Sequence, residues 1–296
     1  MRSSFSFERF QPKFDTLVAR CVDALKQPIA NIPDPLARGF FVLNVQMSRN
    51  AWHTVAFLCG NQRNAEPGWL WDYVLMVPAI NRTILDSLFN VLFMLEDVPS
   101  RSKWFHQSGW REAKEQLERE KAAYAGLPEW DEYLQNVERI VDAGIERFQI
   151  TPAQLANIRS VEHWPNPGRM IRHSAQPQTS VREFLQYMND WYYREHSSQS
   201  HLSFHGMMKL GMFAIRRDYG QERQQQIEAE PFEMFRAQQV TRTVTLLLAL
   251  ISEVNKAFAL GLDDEVRGLW ADLVEGVPES FEIFSKRYAA FWGITL

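Results

Sequence analysis

Residues 79–97, AINRTILDSLFNVLFMLED, contain the pattern that decides the fold. Isoleucine, leucine, phenylalanine, valine and methionine dominate this stretch, which predicts a helix with most of its surface buried. Arg82, Asp86 and Asn90 recur within it at four-residue intervals, one helical turn apart. Burying polar groups costs free energy unless partners satisfy them, so we expect this stripe to face polar side chains of neighbouring helices.

The same helical period continues on both sides of this stretch. A first helix precedes the prolines at 28, 33 and 35, and a second begins after Asp34 and ends near Cys59. A third runs from Trp69 to Glu96, and Pro78 either kinks it or starts a new segment. Further helices are predicted from Ser180, from about Pro231, from Asp263 and from Glu279. Alternating strand patterns and internal repeats are absent, so the sequence predicts one all-α domain over residues 1–296, a multi-helix bundle of roughly nine to eleven helices.

Two regions differ from the apolar helices around them. Residues of about 100–150 are charged and amphipathic, which predicts a solvated helical hairpin packed on the core. Residues of about 150–180 contain WPNPG and further prolines, which predicts a loop-rich crossing with a short helix after Thr151. Basic residues in and around this crossing, among them Arg169 and Arg172, would form a phosphate-attracting rim if they lie near the polar helices.

Composition excludes several classes of protein. A hydrophobic fraction of 46% is enough for a large core, and a net charge of -4 excludes a global basic field. Cys21 and Cys59 lack the spacing of a metal or redox pair, so we interpret them as buried free thiols in a reducing cytosol. The start has no apolar signal region and no apolar run is long enough for a bilayer, which predicts a cytoplasmic protein with no membrane partner.

A second polar segment is YYREHSSQSHLSFHG, residues 192–206. Its polar residues, together with one just before it, share helical spacing: Asp190, Tyr193, Arg194, Ser197, His201 and His205. A weaker third stripe consists of Gln46, Arg49 and His53. We expect the three stripes to meet in one buried polar cluster, with the imidazole of His201 next to the guanidinium of Arg82.

The two stronger stripes resemble a family of uncharacterised, mostly helical bacterial proteins known only as a domain of unknown function. The shared motifs are R-x-x-x-[ED], here Arg82 and Asp86, and Y-R-x-x-S-x-x-x-H-x-S, here Tyr193, Arg194, Ser197, His201 and Ser203. Asp86 stands where glutamate is expected, which shortens the reach of the carboxylate. The resemblance covers residues of about 36–215 and implies a helical fold without an established activity.

Arg194, Glu195 and His201 also resemble the signature of the HEPN (higher eukaryote and prokaryote nucleotide-binding) group, in which four to six residues separate an arginine from a following histidine. Members of this group are often RNA-cleaving toxins and defence proteins. The resemblance implies metal-independent chemistry on RNA or a nucleotide. Histidine can move the 2'-hydroxyl proton near neutral pH, while arginine stabilises the charge on phosphorus.

Two functions therefore remain open. The first is a phosphodiester-cleaving or nucleotide-binding protein with His201 as acid and base and Arg194 or Arg82 as anion stabiliser. The second is a non-catalytic interaction or regulatory module whose polar cluster only fixes helix packing. His201 and His205 have the spacing of zinc ligands, but the acidic residue of H-E-x-x-H is missing, so we predict no metal and no cofactor. The apolar segment AAFWGITL at the end of the chain makes a homodimer plausible.

Overall fold

The structure, a computed structural model, describes residues 7–59, 74–173, 180–201, 206 and 222–292. Regular secondary structure in these ranges is entirely helical. The described ranges contain eleven α-helices when continuous segments are counted together, which confirms the predicted all-α bundle.

The helices are numbered in chain order. They are α1 (Phe7–Ala30), α2 (Pro35–Cys59), α3 (Val77–Glu96), α4 (Val98–Ala123), α5 (Asp131–Arg147), α6 (Pro152–Ala156), α7 (Pro167–His173), α8, α9 (Glu222–Phe258), α10 (Asp263–Gly276) and α11. Helix α8 consists of Ser180–Met188, a π-helical turn at Asn189–Tyr193, and Arg194–Ser200. Helix α11 consists of Pro278–Ile283, a second π-helical turn at Phe284–Tyr288, and Ala289–Phe291.

Helix α3 is the centre of the main core. It packs against α2, α8 and α9, so apolar side chains around most of its circumference find partners. Ile84, Leu85, Leu88 and Phe89 are completely buried. The apolar composition of residues 79–97 is therefore explained by contacts on several sides of one helix.

Proline positions mark some helix starts and not others. Pro78 lies in the first turn of α3, where its missing N–H costs no hydrogen bond, so it starts a new helix. Residues 69–73 of the longer predicted helix lie outside the described ranges. Asp34 precedes α2 as predicted, and its Oδ1 accepts from the Leu36 N–H at 2.9 Å. By contrast, Pro28 lies inside the last turns of α1, and α9 begins at Glu222, before the predicted start near Pro231.

The charged segment of about 100–150 consists of α4 and α5, which pack against each other around a second, smaller core. Trp110, Leu117 and Val141 are buried there, and the Trp110 indole N–H donates to the Val141 carbonyl at 3.0 Å. Ile150 and Val161 from the following crossing complete this core. The crossing is thereby fixed to the hairpin on one side and, through Met170 and Ile171 of α7, to the main core on the other.

Both cysteines are buried free thiols, as the sequence predicted. Burial raises the pKa of Cys21 to about 12, because a thiolate is unfavourable in an apolar environment. At the other end of the chain, Ala289, Phe291 and Trp292 pack on the main core, so the described part of the AAFWGITL segment is occupied by contacts within the chain. Across the described ranges, no helix combines the length and apolarity needed to cross a bilayer.

Replacing Leu88 with alanine is expected to lower the free energy of unfolding by about 2–5 kcal/mol, because the side chain is completely buried and its removal leaves a cavity. Urea denaturation followed by circular dichroism measures the change. The matched control is Ile140→Ala in α5, where 72% of the residue is exposed and little change is expected. Equal losses in the two variants would contradict the central position of α3.

Candidate active site: the groove between α7 and α8

A π-helical turn positions the polar residues of α8. The Arg194 N–H donates to the Asn189 carbonyl five residues earlier, so Asn189–Tyr193 contains one residue more than an α-helical turn. The two tyrosines in this turn have different partners. Tyr192 is buried, with the Arg242 guanidinium 5.9 Å from its ring centre, whereas the ring of Tyr193 packs edge-on against Phe89 of α3. π turns of this kind are frequent at functional sites.

Arg82 of α3 connects this turn to the core. Its Nε lies 3.3 Å from Asp86 Oδ2, its Nη2 donates to the Tyr193 hydroxyl, and its guanidinium lies 4.1 Å from the centre of the Tyr193 ring. Burial raises the pKa of the Asp86 carboxyl, although Arg82 favours the charged form. Burial and the nearby Asp86 also raise the pKa of Tyr193, so its phenol stays protonated. Arg82, Asp86 and Tyr193 therefore form one contiguous cluster.

Next to this cluster lies an open groove of about 530 Å³ between the start of α7 and one side of α8. Four polar residues of the predicted α8 stripe line it: Tyr193, Arg194, Ser197 and His201. The other lining residues are Asn166, Pro167, Gly168, Asn189 and Ser198. The described lining thus offers an arginine, an imidazole, hydroxyls and amides, and it includes no aspartate or glutamate.

The wall formed by residues 166–168 is held in place by a contact of the α3 polar stripe. Asn90 Oδ1 accepts from the Trp164 indole N–H at 2.9 Å, and Trp164 packs among the rings of Phe93 and Phe105. The proline-rich crossing is therefore anchored to α3 just before it reaches the groove. Helical spacing indicated Asn90 as a polar residue on an apolar helix, but it did not indicate this partner.

The structure divides the cluster that the sequence predicted to be buried as one unit. His201 ends α8 and is exposed, and Arg194 is 74% exposed in its side chain, where it pairs only loosely with Asp190 at 3.4 Å. Tyr193 connects Arg82 with His201. Its hydroxyl accepts a hydrogen bond from Arg82, and Tyr193 and His201 both line the groove. The prediction of a single buried cluster is wrong, because α8 turns only one of its faces towards α3.

The third polar stripe does not belong to the site. On α2, Gln46 donates to Asn50 at 3.0 Å and Arg49 donates to His53 at 3.3 Å, and His53 is exposed. These hydrogen bonds run along the surface of one helix. The expectation that this stripe joins the other two is wrong, since α2 buries its apolar side instead.

Two predicted positions, Ser203 and His205, lie outside the described residues. Gly206 is described, and it packs so closely on α8 that a β-carbon would overlap the Ser198 carbonyl. This close approach explains the glycine at that position. In the described ranges, no three side chains of histidine, cysteine, aspartate or glutamate come together as metal ligands would.

His196 lies near the site, and its burial was not predicted from the sequence. It is completely buried on the core side of α8, and neither ring nitrogen has a hydrogen-bond partner among the described residues. Burial, followed by the charge of Arg242, lowers its pKa to about 4. Its signal in the sequence was weak, because a histidine in a serine-rich segment gives no indication of which side it faces.

Arg242 of α9 is a second residue that the sequence did not indicate. Its guanidinium lies 3.1 Å from the Glu195 carboxylate and 3.0 Å from that of Glu279. Two carboxylates from α8 and α11 therefore share one largely buried arginine. This arrangement fixes the far side of α8 and leaves the groove side open.

Comparison of the chain with protein-family models, with curated proteins and with solved structures finds no significant match. The resemblances seen in the sequence motifs therefore stay predictions.

Replacing Tyr193 with phenylalanine is expected to lower the free energy of unfolding by about 1–2 kcal/mol, because Arg82 loses a hydrogen-bond acceptor while the aromatic ring remains. Urea denaturation measures the loss. Tyr133→Phe is the matched control, since its hydroxyl donates to Glu120 on the surface and its removal should change little. A Tyr193→Phe protein as stable as the wild type would show that the contact with Arg82 does not hold α8 on α3.

The buried His196 should make the stability of the folded protein depend on pH. The pKa of His196 in the folded protein is about 4, which lies below the ordinary histidine value of about 6.5. Between about pH 6.5 and about pH 4 the unfolded chain therefore binds a proton that the folded chain does not. Stability should therefore fall as pH drops from about 6.5 to about 4, by up to about 1.4 kcal/mol per pH unit. His196→Leu should lack this contribution in denaturant titrations at stepped pH, and the exposed His53→Leu should retain it. Parallel pH profiles for the wild type and His196→Leu would refute the assignment.

Proposed function

We propose that the groove binds a phosphodiester of RNA and cleaves it, with His201 as acid and base and Arg194 as the group that stabilises the anion. The observation that carries this proposal is the composition of the groove: Arg194, the exposed imidazole of His201 and several hydroxyls and amides line it, without a carboxylate in its described part. The charge of Arg194 attracts an anion, and the hydroxyl and amide groups can donate hydrogen bonds to its oxygens. The HEPN-like spacing of Arg194 and His201 supports the same chemistry.

Hydroxyl groups in the groove add to the case for an anionic ligand. The hydroxyl of Ser198, which lines the groove, donates to the Glu195 carbonyl at 2.9 Å. Ser197 differs, because no described group accepts from its hydroxyl. It lines the groove one turn from both Tyr193 and His201, so it is placed to donate to a phosphate oxygen.

The proposed step balances with the groups present. A neutral His201 imidazole removes the proton of the ribose 2'-hydroxyl, and the 2'-oxygen forms a bond to phosphorus while the bond from phosphorus to the 5'-oxygen breaks. The leaving 5'-oxygen receives a proton from the imidazolium, which restores the neutral base. The products are a 2',3'-cyclic phosphate and a 5'-hydroxyl. Arg194 acts on the additional negative charge of the phosphorane.

Arg82 has a different role in this proposal. Its Nε and Nη2 are engaged by Asp86 and Tyr193, and its guanidinium packs on the Tyr193 ring, so it orients the groove wall. Of the two arginines predicted as anion stabilisers, we therefore favour Arg194. Arg82 and Asp86 are positioning residues.

A non-catalytic interaction module is the second candidate. The observation that favours it is the internal pairing of Arg82, Asp86 and Tyr193, which satisfies most of the polar stripe without any ligand. In that case α8 would serve only to hold the bundle together, and its open side would contribute no chemistry.

Incubation of the purified protein with single-stranded RNA in the presence of EDTA, followed by denaturing electrophoresis, tests the proposal. We expect cleavage products ending in a cyclic phosphate and a loss of at least about a hundredfold in rate for His201→Ala. His53→Ala, an exposed histidine outside the groove, is the matched control and should cleave like the wild type. A substrate with a single 2'-deoxy nucleotide should resist cleavage at that nucleotide.

Circular dichroism of each variant establishes that the fold is intact. Cleavage by His201→Ala at the wild-type rate would overturn the catalytic assignment. If the wild type neither cuts nor binds RNA, the interaction module becomes the favoured function.

A further inference from the structure

Two asparagines lie on opposite walls of the groove. Asn166 lies just before α7, and Asn189 opens the π turn of α8. Arg194 and His201 lie on the same wall as Asn189, so a phosphate bound by them leaves the rest of a nucleotide to extend towards Asn166. A volume of about 530 Å³ lies within the ordinary range of about 300–1,000 Å³ for small-molecule sites.

The amide of Asn166 has a fixed orientation. Its Oδ1 accepts from the Arg169 backbone N–H at 3.0 Å, and a backbone N–H can only donate. The side-chain nitrogen of Asn166 therefore remains as a donor. The residue presents an N–H group to any ligand that reaches this wall.

The amide of Asn189 is fixed in the opposite sense. Its Nδ2 donates to Asp190 Oδ1 at 3.2 Å. Hydrogen bonds from Gln186 and then Asn189 lower the pKa of Asp190, so this carboxylate is ionised and can only accept. The carbonyl oxygen of Asn189 therefore remains as an acceptor on the α8 wall.

We propose that these two amides select a nucleotide whose base carries a carbonyl group beside a ring N–H, namely guanine or uracil. This inference rests on the proposed function, because the phosphate must lie at Arg194 and His201 for the base to reach Asn166. The exocyclic group at position 6 of a purine or position 4 of a pyrimidine is a carbonyl acceptor in guanine and uracil and an amino donor in adenine and cytosine. The Asn166 donor matches the carbonyl, and the Asn189 acceptor matches the adjacent ring N–H.

Unpaired bases are available for this kind of contact. In single-stranded RNA their edges are free to hydrogen-bond to side chains, which is how most sequence-specific recognition of RNA occurs. The apolar ring of Pro167 and the backbone of Gly168 also line the groove, next to Asn166 in the chain. They offer an uncharged surface against which the face of a base can pack.

Calorimetric titration of the wild-type protein with the four nucleoside 3'-monophosphates, which cannot be cleaved, tests the inference. GMP and UMP should bind at least about tenfold more tightly than AMP and CMP. Asn166→Asp keeps an oxygen for the Arg169 N–H but replaces the free donor with an acceptor, so the ratio should fall to one or invert. Asn157→Asp adds the same charge at an exposed position outside the groove lining and should leave the ratio unchanged.

The outcomes separate this inference from the proposed function. Equal binding of the four nucleotides, or a preference for AMP and CMP, would overturn the base selection while the cleavage of RNA still stands. An unchanged ratio in Asn166→Asp with an unchanged melting temperature would also overturn it. If no nucleotide binds and RNA is not cut, both the selection and the proposed function fail.

Discussion

The rest of the site depends on the contacts that the Arg82 guanidinium makes with Asp86 and Tyr193. An arginine on an apolar helix at the centre of the core needs partners, because desolvating its charge is costly. Asp86 supplies a carboxylate from one turn along α3, and Tyr193 supplies both a hydroxyl and a ring face from α8. These contacts fix the rotation of α8 about its axis. Once Tyr193 faces α3, the residues one turn later are directed to the side of α8 that borders α7.

The π turn explains how one helix meets two requirements. The buried face of α8 carries Tyr192 and His196, which pack into the core, while the neighbouring face carries Tyr193 and Ser197 along the groove. An extra residue at Asn189–Tyr193 changes the angle between the segments before and after it. The helix can therefore stay packed at both ends and still present its polar residues beside the crossing.

Three buried arginines elsewhere in the described part of the protein are paired with carboxylates. Arg101 pairs with Glu96 at 2.6 Å, Arg287 pairs with Glu253, and Arg242 is shared by two carboxylates. Arg194 differs from these, because it is mostly exposed and lies beside a groove whose described lining has no acid. The contrast separates arginines that stabilise packing from one that is available to a ligand, and it is the physical basis for assigning the two arginines of the predicted site to different roles.

The sequence by itself determined the helical fold and the recurrence of Arg82, Asp86 and Asn90 along one side of a mostly apolar helix, because helical spacing is a local property of the chain. It also brought together four residues of the groove, since they lie within three turns of one helix. Periodicity could not show which face of α2 or α8 meets the core, so His53 and His201 were expected inside and the burial of His196 was not predicted. The π turn, the burial of His196 and the wall at Asn166 were decided only by tertiary structure, because each depends on packing between segments far apart in the chain.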